Sequence, residues 1–212
     1  MLIGGLQKFS LLDYPGHISA IVFTKGCNFR CQFCYNPMLV WPNREGSSKY
    51  VSPEGGQLKD HSLIKMDDLL TFLDARRGKL DGIVITGGEP TLHPDLPELM
   101  KEIKDRGYDI KLDTNGTNPD MLADVISRGL ADYLAMDIKT SFERYEDVVG
   151  VETDLAKIKK SITIIMDSGL PYEFRTTVVP SLVAEGDILS IGKEIEGADK
   201  WFLQEFKSDI DL

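Results

Sequence analysis

Three cysteines within eight residues are the part of this sequence best suited to chemistry. The stretch CNFRCQFCYNP places Cys27, Cys31 and Cys34 at the spacing C-x3-C-x2-C, and the chain contains no other cysteine. An odd number of thiols, in a compartment that keeps thiols reduced, disfavours a disulfide. Three thiolates on one short loop indicate instead a metal centre with three sulfur ligands.

Two kinds of metal centre need to be weighed. Structural zinc would need a fourth ligand, and the histidines of the chain, His17, His61 and His93, do not lie at zinc-finger spacing. A [4Fe–4S] cluster accepts thiolates from a short loop and has four irons. Three cysteines therefore leave one iron open to a substrate or cofactor, and the spacing favours a cluster whose fourth corner takes part in the reaction.

Strand-like and helix-like segments alternate along the chain. Apolar runs rich in β-branched residues predict six strands, at 17–24, 81–86, 109–114, 132–138, 172–179 and 200–206. Amphipathic periodicity predicts five helices, at 66–77, 96–106, 119–128, 155–168 and 187–195. A repeated βα order predicts a parallel sheet with right-handed crossovers. The predicted fold class is α/β, a partial (β/α)6 barrel of parallel strands, in a single domain over residues 1–212.

Polar motifs follow the predicted strands where each strand ends. The cysteine loop (25–37) follows the first strand and GGEP (87–90) the second, while DTNGT (113–117) and DIK (137–139) close the next two. Arg175 lies within the fifth. Chemistry in parallel α/β folds gathers at the carboxyl ends of the strands, so these motifs are expected to face one site. A segment rich in Gly, Pro and Ser, at about 40–56, predicts a long flexible surface loop.

Composition narrows the possible partners and location. A formal charge of −10 argues against nucleic acid, which would need a basic face. No apolar run approaches the roughly 20 residues that span a bilayer, and the first residues lack the pattern of a secretory signal. We therefore expect a cytoplasmic protein with neither a nucleic-acid nor a membrane partner.

The cysteine motif and its surroundings resemble a known family. C-x3-C-x2-C with Phe33 before the third cysteine, followed by GGEP in the next βα turn, resembles the signature of radical S-adenosylmethionine (SAM) enzymes. The longer blocks SLLDYPGHISAIVFTKGCNFRCQFCYNP, LDTNGT, MDIK and FRTTVVP are similar to those of the glycyl-radical-enzyme activating proteins. Within that group, the blocks most resemble the activators of anaerobic ribonucleoside-triphosphate reductase.

This resemblance implies a specific radical reaction. It implies that Cys27, Cys31 and Cys34 hold one [4Fe–4S] cluster, that SAM chelates the open iron, and that reductive cleavage releases a 5′-deoxyadenosyl radical. The radical would take a hydrogen atom from a glycine of a partner enzyme, with a flavodoxin- or ferredoxin-type electron donor. The alternatives are a radical SAM enzyme of the deazapurine-forming type that modifies a small molecule, and a zinc-binding module without catalysis.

The resemblance also implies a set of cofactor-binding residues. They are Phe33, Tyr35, Gly87, Gly88, Glu89, Pro90, Asp113, Thr114, Asp137, Lys139 and Arg175. Lys139 suits the SAM carboxylate, and the glycines let backbone approach a ligand closely. Structural roles stay open: Tyr35 packing the loop, Glu89 holding its turn, a buried Asp–Lys ion pair holding two strand ends, and a salt bridge of Arg175 on the barrel rim.

Two further positions follow from the resemblance. Asp13, in the segment DYPG, is implied to border the channel through which the partner's glycine enters. Gln204 stands on the sixth predicted strand, where some family members place a histidine near SAM. A contact from that strand to SAM is therefore an open question.

Overall fold

A computed structural model describes residues 1–41 and 63–207 of the chain. Its strands are β1 (Ile3–Ser10), β2 (Ser19–Thr24), β3 (Gly82–Gly87), β4 (Asp109–Thr114), β5 (Tyr133–Asp137), β6 (Tyr172–Val178) and β7 (Trp201–Glu205). Its α-helices are α1 (Met66–Arg76), α2 (Leu96–Lys104), α3 (Pro119–Ser127), α4 (Tyr145–Val149), α5 (Leu155–Met166) and α6 (Glu185–Glu194). Apart from positions 40 and 41, the predicted loop at 40–56 lies outside the described residues.

The strands form one sheet in the order β1-β2-β3-β4-β5-β6-β7. β2 to β7 run parallel, whereas β1 is antiparallel to β2. All six predicted strands and all five predicted helices are present, with ends within two residues of the predicted ones. Over residues 1–41 and 63–207 no pairing joins β1 to β7. The expected partial barrel of parallel strands is therefore confirmed.

One strand and one α-helix of the described structure escaped the sequence-based prediction. β1, with the sequence IGGLQKFS, has two glycines and no regular alternation, and its pairing with β2 is irregular between Gln7 and Ser10. α4 has five residues, which is too short to show a 3.6-residue period. Both elements turn out to contribute to the site described below.

The two faces of the sheet have different surroundings. Alternate side chains pack outward into the main hydrophobic core with the helices, among them Val22, Ile85, Leu112, Met136 and Phe174. The intervening side chains face the inside of the partial barrel, among them Phe23, Thr86, Asp113, Asp137 and Arg175. The outer face thus supplies the core and the inner face supplies the site. None of the described helices combines the length and apolarity required to span a lipid bilayer.

Candidate active site

A cavity of about 470 Å³ occupies the inside of the partial barrel toward the carboxyl ends of the strands. All the predicted site residues line it except Pro90, which is buried at the start of a short 3-10 helix, Pro90–Leu92. Asp13 and Gln204 line it as well. The expectation that the strand-end motifs face one cavity is thus met for every motif.

The cysteine loop is fixed from several directions by backbone hydrogen bonds. The Gly26 and Cys27 N–H groups donate to the Leu39 and Val40 carbonyls, at 2.7 and 2.9 Å. The Arg30 N–H donates to the Val149 carbonyl of α4 at 2.7 Å. These contacts hold both ends of the loop, so its three thiols have a defined position relative to the strands.

The turn that follows β4 also holds the cysteine loop. Asn115 Nδ2 donates to Asn28 Oδ1 at 2.9 Å, and Asn28 Nδ2 donates to Thr117 Oγ1 at 2.9 Å. Asn28 lies next to Cys27 in sequence, so the NGT turn fixes the start of the cysteine motif. The polar asparagine directly after Cys27 was the signal that could have predicted this contact.

The two glycines of GGEP bring two backbone segments into close contact. Gly87 has a φ of +114°, and a Cβ built on Gly88 would lie 2.1 Å from the Gly26 carbonyl oxygen. The Gly88 N–H donates to the Thr24 carbonyl at 2.9 Å, and the Glu89 N–H donates to the Gly26 carbonyl at 2.8 Å. The sequence predicts that these glycines let the backbone approach a ligand closely. The structure shows that they also let the backbone approach Gly26, at the start of the cysteine loop.

Glu89 is buried, and hydrogen bonds from neighbouring loops surround its carboxylate. Oε1 accepts from Thr91 N at 3.0 Å and from Thr114 Oγ1 at 2.8 Å, while Oε2 accepts from Asn115 N at 2.6 Å. Burial raises the pKa of this carboxyl, and the hydrogen bonds oppose that shift. Of the two roles considered for Glu89, these contacts favour holding the turns after β3 and β4 together.

Arg175 bridges two aspartates at neighbouring strand ends. Its Nε donates to Asp137 Oδ1 at 2.8 Å, and its Nη1 donates to Asp113 Oδ2 at 3.2 Å. Lys139 Nζ donates to Asp137 Oδ2 at 3.0 Å. Burial alone would raise the pKa of Asp137, but the cations of Arg175 and Lys139 outweigh it and hold the pKa well below its usual range. Lys139 thus forms an Asp–Lys ion pair within one strand end, and it is Arg175 that joins two strand ends. All four side chains also line the cavity.

A second layer of charge lies deeper in the barrel and was not predicted. Lys111 is 2% exposed, and its Nζ donates to Asp113 Oδ1 at 2.9 Å and lies 3.5 Å from Glu173 Oε1. Tyr133 donates its hydroxyl to Glu173 Oε2 at 2.9 Å. Lys111 thus joins Arg175 in pairing with Asp113, so that this carboxylate has a cation on each side. Charged residues alternating with apolar ones inside DIKLDT and YEFRTT were the signal that would have placed Lys111 and Glu173 inside.

The aromatic residues around the third cysteine pack against the segment after β7. Phe33 is buried and lies edge-on to Phe206, with ring centroids 6.4 Å apart. Tyr35 lies 5.3 Å from the same ring, and its hydroxyl accepts from the Lys207 N–H at 2.8 Å. Both rings also line the cavity. The same two side chains therefore pack the cysteine loop against the segment after β7 and form part of the cavity wall.

The three thiols suit a cluster better than a single metal ion. In the described part of the chain no three His, Cys, Asp or Glu side chains lie close enough together to hold one ion. His17 pairs with Asp109, 3.1 Å away at the start of β4, and His93 does not line the cavity. His61 lies outside the described residues. The fourth zinc ligand considered from the sequence is thus not supplied by His17 or His93.

The residues present fit a [4Fe–4S] cluster with SAM beside it. Three thiols reach one cavity, and the same cavity presents the Lys139 ammonium and the Arg175 guanidinium, which suit a carboxylate. Burial raises the pKa of Cys27 to about 11 and also raises that of Cys31. The metal-free thiols of Cys27 and Cys31 are therefore protonated at neutral pH and would lose their protons on binding iron.

Comparison with known proteins relates this chain to a family. The model of the radical SAM superfamily matches residues 21–186. The "Putative glycyl-radical enzyme activating enzyme" of Methanocaldococcus jannaschii is 33% identical over 97% of this chain and 80% of its own length. The "7-carboxy-7-deazaguanine synthase" of Thermococcus kodakarensis is 32% identical over 68% of this chain and 57% of its own.

The fold has relatives among solved structures. Streptococcus suis SuiB bound to S-adenosylmethionine superposes with a TM-score of 0.59, over 88% of this chain and 40% of SuiB, at 13% identity. At this identity the likeness concerns the fold. It is consistent with the partial barrel found here.

Proposed function

The chain belongs to the radical SAM superfamily and to its glycyl-radical-enzyme activating group, and from that premise we propose that it abstracts a hydrogen atom from a glycine of the anaerobic ribonucleoside-triphosphate reductase. The observation that carries the proposal is the similarity to an activating enzyme over 97% of the chain. The named partner rests on the blocks from SLLDYPG to FRTTVVP. The domain in this proposal is the whole chain, residues 1–212, and the reaction takes place in the cytoplasm without oxygen.

The open edge of the sheet supports a macromolecular substrate. Gln7 on the edge strand β1 and Gln204 on the edge strand β7 line the same cavity, and Asp13 lies just beyond β1. In the described residues these two edges are not joined by strand pairing. A polypeptide loop that carries a glycine can therefore reach the cavity between the edges, with Asp13 beside its path.

The protein contributes binding, orientation and shielding. When bound, the cluster and SAM supply a 5′-deoxyadenosyl radical by reductive cleavage, with the electron coming from a flavodoxin- or ferredoxin-type donor. Cys27, Cys31 and Cys34 would hold the cluster. Cys27 and Cys31 pack against the hydrophobic core, which would limit the access of water to that side of the cluster.

Charged and backbone groups would orient SAM. An ammonium has three donors, and Lys139 gives one to Asp137, which leaves two for the SAM carboxylate. Arg175 adds a second cation beside it. Asp113 and Asp137 can accept from the SAM amino group, as can the carbonyls of the Gly87–Gly88 turn.

The remaining predicted residues would shape the adenosine end. The rings of Phe33 and Tyr35 give a flat apolar wall that suits adenine. Thr114 and Glu89 would hold the strand-end turns that border the adenosine. Pro90, which does not line the cavity, would fix the conformation of the turn that follows Gly87–Glu89.

The test follows one deuterium atom. Anaerobically reconstituted, dithionite-reduced protein is mixed with SAM and with reductase made from α-deuterated glycine, beside the variant Cys34→Ala. We expect 5′-deoxyadenosine that carries one deuterium, and an organic radical on the reductase seen by EPR, and we expect neither with the variant. SAM cleavage without deuterium transfer or a reductase radical would refute the named partner. Absence of SAM cleavage from protein with full iron and sulfide would refute the whole proposal.

A second candidate is favoured by the similarity to a deazapurine-forming enzyme. The substrate would then be a small heterocycle enclosed by the protein. The similarity covers 68% of the chain, against 97% for the activating enzyme, which ranks this candidate second. It predicts that added heterocyclic substrate, and not a partner protein, speeds SAM cleavage.

A further inference from the structure

One buried carboxylate joins the loop after β5 to the start of α6. Asp187, in the first turn of α6, accepts hydrogen bonds on both of its oxygens. Oδ1 accepts from the hydroxyl of Ser141, which is also buried. Oδ2 accepts from Arg144 Nη1 at 2.9 Å and from the Ala184 N–H at 2.8 Å. A helix cap needs only the Ala184 contact, so the other two contacts call for a further explanation.

The two side-chain donors stand at the two ends of one short helix. A 3-10 helix of one turn, Phe142–Arg144, has Ser141 as its N-cap and begins three residues after Lys139. Asp187 therefore holds this helix at its first and its last position, through a hydrogen bond at one end and an ion pair at the other. Both contacts span more than 40 residues of sequence, so they fix the loop after β5 relative to α6.

Lys139 lies between two anchored points of the backbone. On one side, the Ile138 N–H donates to a carbonyl of β6 at 2.9 Å, and the Ile138 carbonyl accepts from Thr176 Oγ1 at 2.8 Å. On the other side lies Ser141, held by Asp187. A lysine side chain is flexible, so the position of its ammonium depends on how firmly the backbone beneath it is held.

We propose that Asp187 is a positioning residue: by holding Ser141, it keeps Lys139 where the ammonium can bind the carboxylate of SAM. Lys139 lines the cavity, whereas Asp187 and Ser141 do not, so these two residues act on SAM through Lys139 and not by contact. The inference rests on the role proposed above for Lys139. It adds a residue of α6 to the support of a site built on the strand ends.

The test is Ser141→Ala, which cuts the link and leaves Asp187 bonded to Arg144 and Ala184. SAM affinity is measured by equilibrium dialysis on reconstituted, oxidised protein, in which SAM is not cleaved because no electron is available. The dissociation constant should rise about tenfold, the loss expected when one charge-assisted hydrogen bond is weakened. Asp187→Asn, which keeps the size and removes the charge, should raise the dissociation constant at least as much.

A double-mutant cycle with Lys139→Met separates positioning from general loosening of the fold. If Ser141 acts through Lys139, then Ser141→Ala should weaken SAM binding when the ammonium is present and have little effect once it is gone. A loosened fold would instead weaken binding equally in both backgrounds.

The matched control is Ser168→Ala. Ser168, just after α5, donates its hydroxyl to the Ile165 carbonyl at 2.7 Å and accepts from the Leu170 N–H at 3.1 Å, and it does not line the cavity. This control should lower the urea midpoint of the metal-free protein, as Ser141→Ala does, because both lose hydrogen bonds. Only Ser141→Ala should change the dissociation constant for SAM.

The outcomes separate this inference from the proposed function. An unchanged dissociation constant for Ser141→Ala, or an equal effect with and without the Lys139 ammonium, would overturn the inference and leave the proposed function standing. Wild-type SAM binding by Lys139→Met would refute the role of Lys139 and the inference with it. A failed deuterium transfer to the reductase concerns the partner and leaves the role of Asp187 standing.

Discussion

Replacing Gly88 by alanine tests whether the contact between GGEP and the cysteine loop is a structural requirement. A Cβ at this position would lie 2.1 Å from the Gly26 carbonyl oxygen and 2.7 Å from its carbon. Both are backbone atoms, so no side chain can turn aside, and the two segments must separate by about 1 Å. That movement breaks the 2.8 Å hydrogen bond from the Glu89 N–H to the same carbonyl.

The expected loss of stability combines these two effects. Overpacking of a tight contact costs about 1–3 kcal/mol, and the lost hydrogen bond costs about 1 kcal/mol. A domain is typically stable by about 5–15 kcal/mol, so Gly88→Ala should fold with a free energy of unfolding lower by about 2–4 kcal/mol. With a urea m-value of about 2–3 kcal/mol/M, the midpoint should fall by about 1 M.

The assay is urea unfolding of the metal-free protein, followed by iron retention of the reconstituted protein under a chelator. Gly186→Ala is the matched control, because a Cβ on Gly186 of α6 meets nothing within 4 Å. Alanine there should be neutral or stabilising by up to about 1 kcal/mol. If Gly88→Ala unfolds at the same urea concentration as wild type and keeps its iron as long, the close approach is not the reason for the glycine.

Three further substitutions have expected outcomes. Glu89→Gln replaces one acceptor oxygen by an NH₂ donor, which then faces either the Asn115 N–H or the threonine hydroxyls. The free energy of unfolding should fall by about 1–3 kcal/mol, measured by urea unfolding. An unchanged urea midpoint would contradict the hydrogen bonds described. Asp137 has a pKa below its usual range when folded, so its stabilising contribution is present above the unfolded pKa of about 3.9 and is lost as the pH falls below it. Asp137→Asn should therefore lose less stability than wild type between pH 5 and pH 3, and equal losses would refute the shift. Phe206→Ala removes ring contacts with Phe33 and Tyr35 worth about 0.5–1.5 kcal/mol each, and should release iron to a chelator faster than wild type; equal release rates would show that this packing does not hold the cysteine loop.

The location of the site could be predicted from the sequence because parallel strands bring their carboxyl ends to one edge. Each polar motif could be assigned to the site from its position directly after a predicted strand. The strand ends were predicted to within two residues. β1 could not be predicted in the same way. Its two glycines and irregular pairing remove the alternation on which strand prediction depends, yet it brings Gln7 to the cavity.

The roles of individual residues were less predictable, because they depend on register. Asp137 is paired with Arg175 across β5 and β6, and Lys111 of β4 lies 3.5 Å from Glu173 of β6. Neither contact follows from strand order alone. Glu89 illustrates the same limit: its sequence context allowed a contact with a ligand or a role in the turn, and the choice came from Thr114 and Asn115, 25 and 26 residues away.

The two halves of the partial barrel provide different kinds of support. The cysteine loop is held by backbone groups and side-chain amides from segments that contribute no thiol: the glycine pair, the NGT turn, α4 and residues 39–40. The cations that suit SAM are Lys139, after β5, and Arg175, on β6, and both are held by ion pairs with Asp137 or Asp113. Loss of one charge there leaves a buried partner uncompensated, which typically costs about 3–5 kcal/mol. Iron retention and cofactor affinity should therefore respond to different sets of substitutions, the first around Gly26 and the second around Arg175.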